Sequence, residues 1–146
     1  MLQRALVVDT SKSWLEKLGS ESGNFFELVL CSDFHSARKL IERGPSFLIT
    51  NIQLAAYNGL HLVHIAAQSQ LQTRCIVYSD EIDRFLFREA QNLRAFCETR
   101  ARLVQALSAY FGATLPVRDR RDVQQWDRRA QPRGGRRAAD FSGPKN

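Results

Sequence analysis

The segment SFLITNIQLAAYNGLHL, which runs from Ser46 to Leu62, decides the fold of this chain. The apolar and β-branched run from Phe47 to Thr50 follows a Gly-Pro breaker and is too short for a helix, so it predicts a buried strand. The pair Asn58-Gly59 closes a loop, and apolar residues at helical spacing then begin an amphipathic helix. The strand ends at Asn51. Open α/β sheets place their functional groups at the carboxyl ends of strands, so Asn51 is the first candidate for a functional residue.

Hydrophobic spacing along the whole chain predicts five strands that alternate with five helices. Short loops between such elements favour a parallel sheet covered by helices on both faces, because right-handed crossovers place helices on both sides. The predicted fold class is therefore α/β, a three-layer sandwich. The predicted strands are Ala5 to Val8, Phe25 to Leu30, Phe47 to Thr50, Arg74 to Tyr78 and Arg94 to Cys97; a turn is predicted at Gly19 to Asn24, a helix cap at Ser32 or Asp33, the fourth helix at Glu81 to Ala90 and the fifth at Thr99 to Phe111.

The length of 146 residues and the hydrophobic content of 44% suit one globular domain. Apolar runs are only a few residues long, so no transmembrane span is expected, and the first residues do not form a signal peptide. The three cysteines lie far apart and none belongs to a CxxC motif, which predicts buried thiols in a reducing, cytoplasmic setting: Cys31, Cys75 and Cys97. No metal and no cofactor are expected.

The positive charge is concentrated at the carboxyl end. Residues 117 to 146 contain nine Lys or Arg and four Asp, a net of +5 out of +6 for the whole chain. We therefore expect a globular domain over residues 1 to 115 and a basic, Arg-rich, disordered tail over 116 to 146, which has too few aliphatic residues to offset its ordering entropy. Trp126 and the arginine pairs make nucleic-acid binding one interpretation of the tail, whereas its interleaved aspartates favour a solubilising or partner-docking role.

Four segments together resemble the receiver domain of two-component response regulators, a CheY-like domain. They are ALVVDTSK (5–12), LITNIQLAAYNGLHLV (48–63), CIVYS (75–79) and AFCETR (95–100). The resemblance covers about residues 4 to 111 and implies a flavodoxin-like (βα)5 fold with strand order 2-1-3-4-5. It also implies that the site lies where these segments end.

Carried over residue by residue, the receiver chemistry is mostly missing. In a working receiver an aspartate on the third strand accepts a phosphoryl group, carboxylates hold Mg²⁺, and a Lys and a Ser or Thr hold the product. The position of that phosphoacceptor is Asn51, and the acidic pair of the first strand is reduced to Asp9 and Thr10. The lysine position is Thr99, so no pocket cation is expected, and only Ser79 keeps its chemistry.

These losses agree with one another and predict a degenerate, non-enzymatic pseudo-receiver. A carboxamide is a poor nucleophile, and one carboxylate gives Mg²⁺ little reason to stay. Two alternatives stay open. An alignment shifted by one or two residues would bring Asp80 or Glu98 into the pocket, and an active phosphoacceptor would gain one phosphate from a small phosphodonor.

Several other residues have both a functional and a structural interpretation. Phe96 falls where receivers keep a mobile switch aromatic, yet an ordinary strand aromatic fits equally well. The histidines His35, His61 and His64 have no matched acid, so structural roles are favoured over metal binding or phosphorelay.

The expected function is therefore signalling through protein contacts, with nucleic-acid association through the tail as the alternative. In receivers the usual partner and homodimer face is the fourth helix, fifth strand and fifth helix, about Glu81 to Phe111 here. That region contains three adjacent large apolar residues that one helix cannot bury together, so at least one is expected to be exposed: Phe85, Leu86 and Phe87.

Overall fold

The computed structural model describes residues 3–21, 26–69 and 72–112. The predicted tail from 116 to 146 and the predicted domain boundary at 115 lie outside the described residues. Within the described part, none of the helices is long and apolar enough to cross a membrane.

A parallel five-stranded sheet forms the centre of the domain, in the order β2-β1-β3-β6-β7. A two-residue antiparallel hairpin, β4 with β5, follows β3. When this hairpin is set aside, the order is the predicted 2-1-3-4-5, and the predicted flavodoxin-like fold is confirmed. The strands are β1 (Gln3–Val8), β2 (Phe26–Cys31), β3 (Phe47–Asn51), β4 (Gln53–Leu54), β5 (Tyr57–Asn58), β6 (Arg74–Ser79) and β7 (Phe96–Thr99); the helices are α1 (Lys12–Glu21), α2 (Phe34–Ile41), α3 (Gly59–Gln68), α4 (Arg84–Asn92) and α5 (Arg100–Gly112).

Two apolar cores lie on opposite faces of the sheet. Successive side chains of a strand point to opposite faces, so Leu6 and Val8 join a core with α2, α3 and α4, while Ala5 and Val7 join a core with α1 and α5. The central strand β3 is buried along its whole length. This is the burial on both faces that its continuous apolar sequence predicts.

Several predicted boundaries differ from the observed ones by one to three residues, and two of the differences have a clear local reason. Helix α4 begins at Arg84 and not at Glu81, because the Asp83 side chain accepts a hydrogen bond from the Leu86 backbone N–H and caps the helix. Strand β7 begins two residues late, because Arg94 has φ 69°, which no strand residue adopts. Helix α1 continues through Gly19, where a turn was predicted. The Asp33 cap on α2 is confirmed by its bond from the Ser36 N–H.

Candidate functional site

A cleft of about 600 Å³ opens at the carboxyl edge of the sheet, beside Asn51. The chain turns back sharply here, since the Gly59 N–H donates to the Ile52 carbonyl at 2.6 Å. A Cβ atom on Gly59 would lie 2.1 Å from the Asn51 carbonyl oxygen, so this close approach requires glycine. The cleft is lined by Asp9, Thr10, Ser11, Asn51, Ile52, Gln53, Ala55, Ala56, Tyr57, Asn58, Asp80, Leu86 and Arg100.

Asp9 is the buried centre of the cleft, with 1% of its surface exposed. Its Oδ1 accepts the Ser11 backbone N–H at 2.9 Å. Its Oδ2 accepts three side-chain donors: the Tyr78 hydroxyl at 2.6 Å, Arg100 Nη1 at 3.0 Å and Asn51 Nδ2 at 3.4 Å. Both carboxylate oxygens of Asp9 therefore already accept hydrogen bonds from the chain itself, as a buried polar group requires.

Arg100 supplies the positive charge of the cleft. Its guanidinium forms ion pairs with Asp9 and, through Nε at 2.5 Å, with Asp80. It also lies over two aromatic rings, 4.9 Å from the centroid of Trp14 and 5.3 Å from that of Tyr78. Burial opposes the charged form of Arg100, but the hydrogen bonds and charges of Asp80 and Asp9 outweigh it and raise its pKa above the ordinary value. The guanidinium is thus a fixed cation held from four sides.

Tyr78 connects this polar cluster to the apolar core. The residue is fully buried, and its hydroxyl accepts the Trp14 indole N–H at 3.0 Å while it donates to Asp9. Burial, and then the hydrogen bond to the Asp9 carboxylate, raise the pKa of Tyr78 above its ordinary value. The phenol stays neutral at physiological pH and acts as a hydrogen-bond relay between α1 and the end of β1.

The Asn51 carboxamide is bound at both of its ends. Its Nδ2 donates to Asp9, and its Oδ1 accepts the Gln53 backbone N–H at 3.1 Å. Only 6% of the residue is exposed. Thr10 occupies the position of the second acid in the receiver pattern. It is exposed and lines the same cleft. Sequence and structure therefore agree that Asp9, Thr10 and Asn51 come together.

Ser79 and Thr99, which were also predicted to lie in the pocket, are outside the cleft. The Ser79 hydroxyl donates to the backbone carbonyl of Glu81, and neither Ser79 nor Thr99 lines the cleft. Of the two acids that a shifted alignment would bring in, Asp80 lines the cleft. Glu98 is buried outside it and forms an ion pair with Arg102 at 3.9 Å. The lining of the cleft thus contains one buried carboxylate, one exposed carboxylate and one guanidinium: Asp9, Asp80 and Arg100.

These residues do not fit a bound divalent cation. Mg²⁺ needs several oxygen ligands and keeps several of its waters. Both oxygens of Asp9 already accept hydrogen bonds, and Arg100 lies between the two carboxylates that face the cleft. Within residues 3–21, 26–69 and 72–112, no group of three or more His, Cys, Asp or Glu side chains is close enough to hold a metal ion.

Sequence reasoning missed Arg100 and Tyr78. The expectation that the pocket has no cation was wrong, because the residue after the lysine position, Arg100, reaches back to Asp9. A signal was present for each. A tyrosine in an otherwise aliphatic buried strand needs a partner for its hydroxyl, and an acid buried at a strand end needs a nearby cation.

His35, His61 and Phe96 contact aromatic rings. Phe34 stacks on Tyr57 with ring centroids 4.7 Å apart, His35 Nε2 lies 2.9 Å from the Tyr57 hydroxyl, and the His61 ring is 5.4 Å from that of Phe34. His64 is exposed. Phe96 is buried and meets the ring of Tyr110 edge-on at 5.5 Å. Its role as a switch stays a prediction.

The three adjacent apolar residues of α4 divide as their helical spacing requires. Phe85 is 68% exposed, Leu86 is half-buried at the rim of the cleft, and Phe87 is fully buried. Ile82, just before the helix, is also exposed, at 42%. The expectation that at least one of the three is exposed is confirmed. We call Ile82 and Phe85 the apolar surface of α4.

Several solved structures superimpose on this chain, at low sequence identity. The signal receiver domain of a putative LuxO repressor protein from Vibrio parahaemolyticus superimposes with a TM-score of 0.68 and 17% identity, over 77% of this chain and 92% of that one. A CheY-like receiver domain protein from Methanospirillum hungatei gives 0.66 and 16%, over 77% and 95%. A LuxR-family two-component response regulator from Aurantimonas gives 0.65 and 19%, over 77% and 86%.

The likeness establishes the fold. This chain has the fold of CheY-like receiver domains, as its four sequence segments predicted. No protein-family model matches the sequence, and no curated protein does.

Proposed function

We propose that this chain is a non-catalytic, receiver-like signalling module that acts by protein contacts and is not switched by phosphorylation. The observation that carries the proposal is the Asn51 carboxamide at the carboxyl end of the central strand, bound to Asp9 on one side and to the Gln53 backbone on the other. An amide held in this way has neither the charge nor the freedom to attack a phosphoryl group. The module is not an enzyme in this proposal.

The same cleft lacks the means to stabilise a transferred phosphoryl group. Its guanidinium is already paired with Asp9 and Asp80, and its serine hydroxyl, Ser79, donates to the chain. Incubation of the protein with acetyl phosphate and Mg²⁺, followed by intact-mass measurement, is therefore expected to show no gain of phosphate. A stoichiometric gain of one phosphate would contradict the proposal.

The apolar surface of α4 supports protein contact. Phe85 is 68% exposed on a helix whose buried face is already provided by Phe87 and Ala90, so it contributes nothing to the core. We place the partner face on α4, β7 and α5, and the first occupant to test is a second copy of the chain. The three cysteines, Cys31, Cys75 and Cys97, are buried, which fits a cytoplasmic setting.

A pair of variants tests this surface. If the wild type self-associates in sedimentation velocity, Phe85→Asp is expected to abolish that association. If the wild type is monomeric, Phe85→Asp is expected to abolish the recovery of cross-linked partners. Its melting temperature should stay within a few degrees of the wild type, because an exposed substitution usually changes stability by no more than about 0.5 kcal/mol. Leu30→Asp is the matched control, since Leu30 is 41% exposed on the far edge strand. Equal partner loss in both variants would count against the α4 surface.

The alternative function rests on the charge of the tail. Nine basic residues between 117 and 146 would bind nucleic acid chiefly through phosphates, so binding should weaken steeply with salt. A retardation assay with full-length protein and with a chain ending at Pro116 tests it. Binding of the full chain alone would favour this function, and its absence even at low salt would exclude it.

A further inference from the structure

A second cavity, of about 340 Å³, lies at the amino edge of the sheet, at the opposite end of the strands from the cleft described above. Three neighbouring strands contribute to its lining: Gln3 begins β1, Ser46 precedes β3 and Arg74 begins β6. Gln72 and Thr73, just before β6, complete its polar side chains. Among the described residues that line this cavity, none is an Asp or a Glu. The cavity is therefore polar, with one guanidinium and no carboxylate.

We propose that this cavity binds the phosphate group of a small phosphate monoester through the guanidinium of Arg74. The guanidinium would bind two phosphate oxygens, and the neighbouring amide and hydroxyl groups would bind the third. The site shares no residue with the Asp9 cleft or with the apolar surface of α4. The proposal goes beyond the signalling function proposed above, and either one can fail without the other.

The first support is that Arg74 carries a charge but has no acidic partner in the described part of the chain. Its Nε atom is buried and, within residues 3–21, 26–69 and 72–112, has no hydrogen-bond partner. The guanidinium carbon lies over the ring of Phe47 instead, 5.9 Å from its centroid. Arg4, by contrast, is paired with Glu27 at 3.7 Å. Since Nε is buried, the terminal nitrogens of the Arg74 guanidinium are the donors that an anion can reach.

The second support is that hydrogen bonds within the chain fix the backbone around Arg74. The Arg74 backbone N–H donates to the Ser46 carbonyl at 3.0 Å, and the Thr73 hydroxyl donates to the Pro45 carbonyl at 2.7 Å. The Ser46 N–H donates in turn to the Arg4 carbonyl at 2.8 Å. These bonds join β1 to the residues that precede β3 and β6. A site formed in advance in this way loses less free energy to ordering when a ligand binds.

The third support is the match between the lining and a phosphate group. A phosphate monoester has three terminal oxygens that accept hydrogen bonds strongly, whereas a carboxylate has two. The planar fork of Arg74 suits two of the phosphate oxygens. The carboxamides of Gln3 and Gln72 and the hydroxyl of Ser46 offer further donors in the same lining. A phosphate therefore uses more of these donors than a carboxylate does.

The fourth support is the charge around the cavity. A smaller cavity, of about 170 Å³, shares Pro45 with the first and has three charged residues in its lining: Arg4, Glu27 and Arg43. The two linings together contain three arginines and one glutamate. A concave surface with an excess of one charge raises the local concentration of ions of the opposite sign. The potential at this edge of the sheet thus favours an anion.

The test titrates glycerol phosphate into isotope-labelled, full-length protein at constant ionic strength and follows the backbone amide resonances. We expect saturable shifts at Ser46, Thr73 and Arg74. The dissociation constant should rise roughly tenfold or more in Arg74→Gln, which loses a charge-assisted hydrogen bond. It should stay unchanged in Arg88→Gln, which removes the same charge from an exposed position on α4. This matched control separates the cavity from phosphate bound by the nine basic residues between 117 and 146.

Each outcome decides the proposal. Equal weakening in the two variants would overturn it, as would amide shifts confined to residues outside the cavity. Arg74-dependent binding to phosphatidylcholine vesicles that contain phosphatidic acid, without binding of glycerol phosphate, would also overturn it, because the ligand would then be a lipid headgroup. If circular dichroism shows that Arg74→Gln does not fold, Gln72→Glu takes its place, since Gln72 is exposed. The added carboxylate should weaken binding about fivefold by repulsion, and unchanged binding would contradict the proposal.

Discussion

The Asp9 cleft and the apolar surface of α4 contrast with each other. In the cleft, Asp9 accepts hydrogen bonds from the Ser11 backbone N–H and from three side chains, those of Asn51, Tyr78 and Arg100. On α4, Phe85 exposes two thirds of its surface. The polar groups of the cleft are thus bound by hydrogen bonds and ion pairs within the chain, whereas most of the Phe85 side chain lies in solvent.

The two regions meet in one short segment. The loop from β6 to α4 provides Asp80 to the cleft and Ile82 to the apolar surface, while Asp83 caps α4. The ion pair of Asp80 with Arg100 therefore ties this loop to the start of α5. The Asp9 cleft and the apolar surface of α4 are thus connected through this one loop.

Removal of Asp9 should have the largest effect on stability. Asp9→Ala leaves Arg100 beside the apolar core without its buried partner and the Tyr78 hydroxyl without its acceptor. Loss of one partner from a buried ion pair costs about 3 to 5 kcal/mol, so the free energy of unfolding in urea should fall by about that amount. The matched control is Asp83→Ala, an exposed helix cap worth about 1 kcal/mol. Equal losses in the two variants would mean that the cleft does not stabilise the fold.

Replacement of Gly59, which lies behind the cleft, should have the second largest effect on stability. In Gly59→Ala the new methyl group would lie 2.1 Å from the Asn51 carbonyl oxygen and 2.9 Å from Thr50 Oγ1, so the backbone has to move. Overpacking of this kind typically costs about 1 to 3 kcal/mol. Gly19→Ala is the control, because its methyl group would meet Leu30 at an ordinary 3.5 Å inside a helix. We expect that variant to be neutral or more stable in thermal unfolding, and a comparable loss would contradict the clash.

The sequence predicted the fold and the acidic and amide residues of the cleft, because these follow from strand ends. Asp9 and Asn51 each stand directly after an apolar run, and parallel strands bring such ends together. The side chains that close the cleft could not be placed in this way. Whether Arg100 turns toward Asp9 depends on where β7 ends, and the left-handed Arg94 moves that strand by two residues.

The hydrogen-bond partners of Tyr78 could not be predicted from the sequence either, because they depend on packing. Its place on β6 was predicted, but its partners Trp14 and Asp9 are 64 and 69 residues away along the chain. A contact of that kind depends on which face of the sheet receives α1. That choice follows from the tertiary packing of the helix and not from the strand's own pattern.

Tyr78→Phe should have the smallest effect on stability of these three variants, and its effect should depend on pH. The change removes two hydrogen bonds, one from the Trp14 indole and one to Asp9, but keeps the buried ring, so stability at neutral pH should fall by about 1 to 2 kcal/mol. Because the folded chain raises the pKa of Tyr78, its phenol stays protonated when folded but ionises near its ordinary pKa of about 10 when unfolded. The stability from this hydroxyl is complete below about pH 10 and is lost as the pH rises further. Urea unfolding between pH 8 and 11 should therefore bring the two proteins together at high pH, whereas curves that stay parallel would show that Tyr78 does not hold its proton against Asp9.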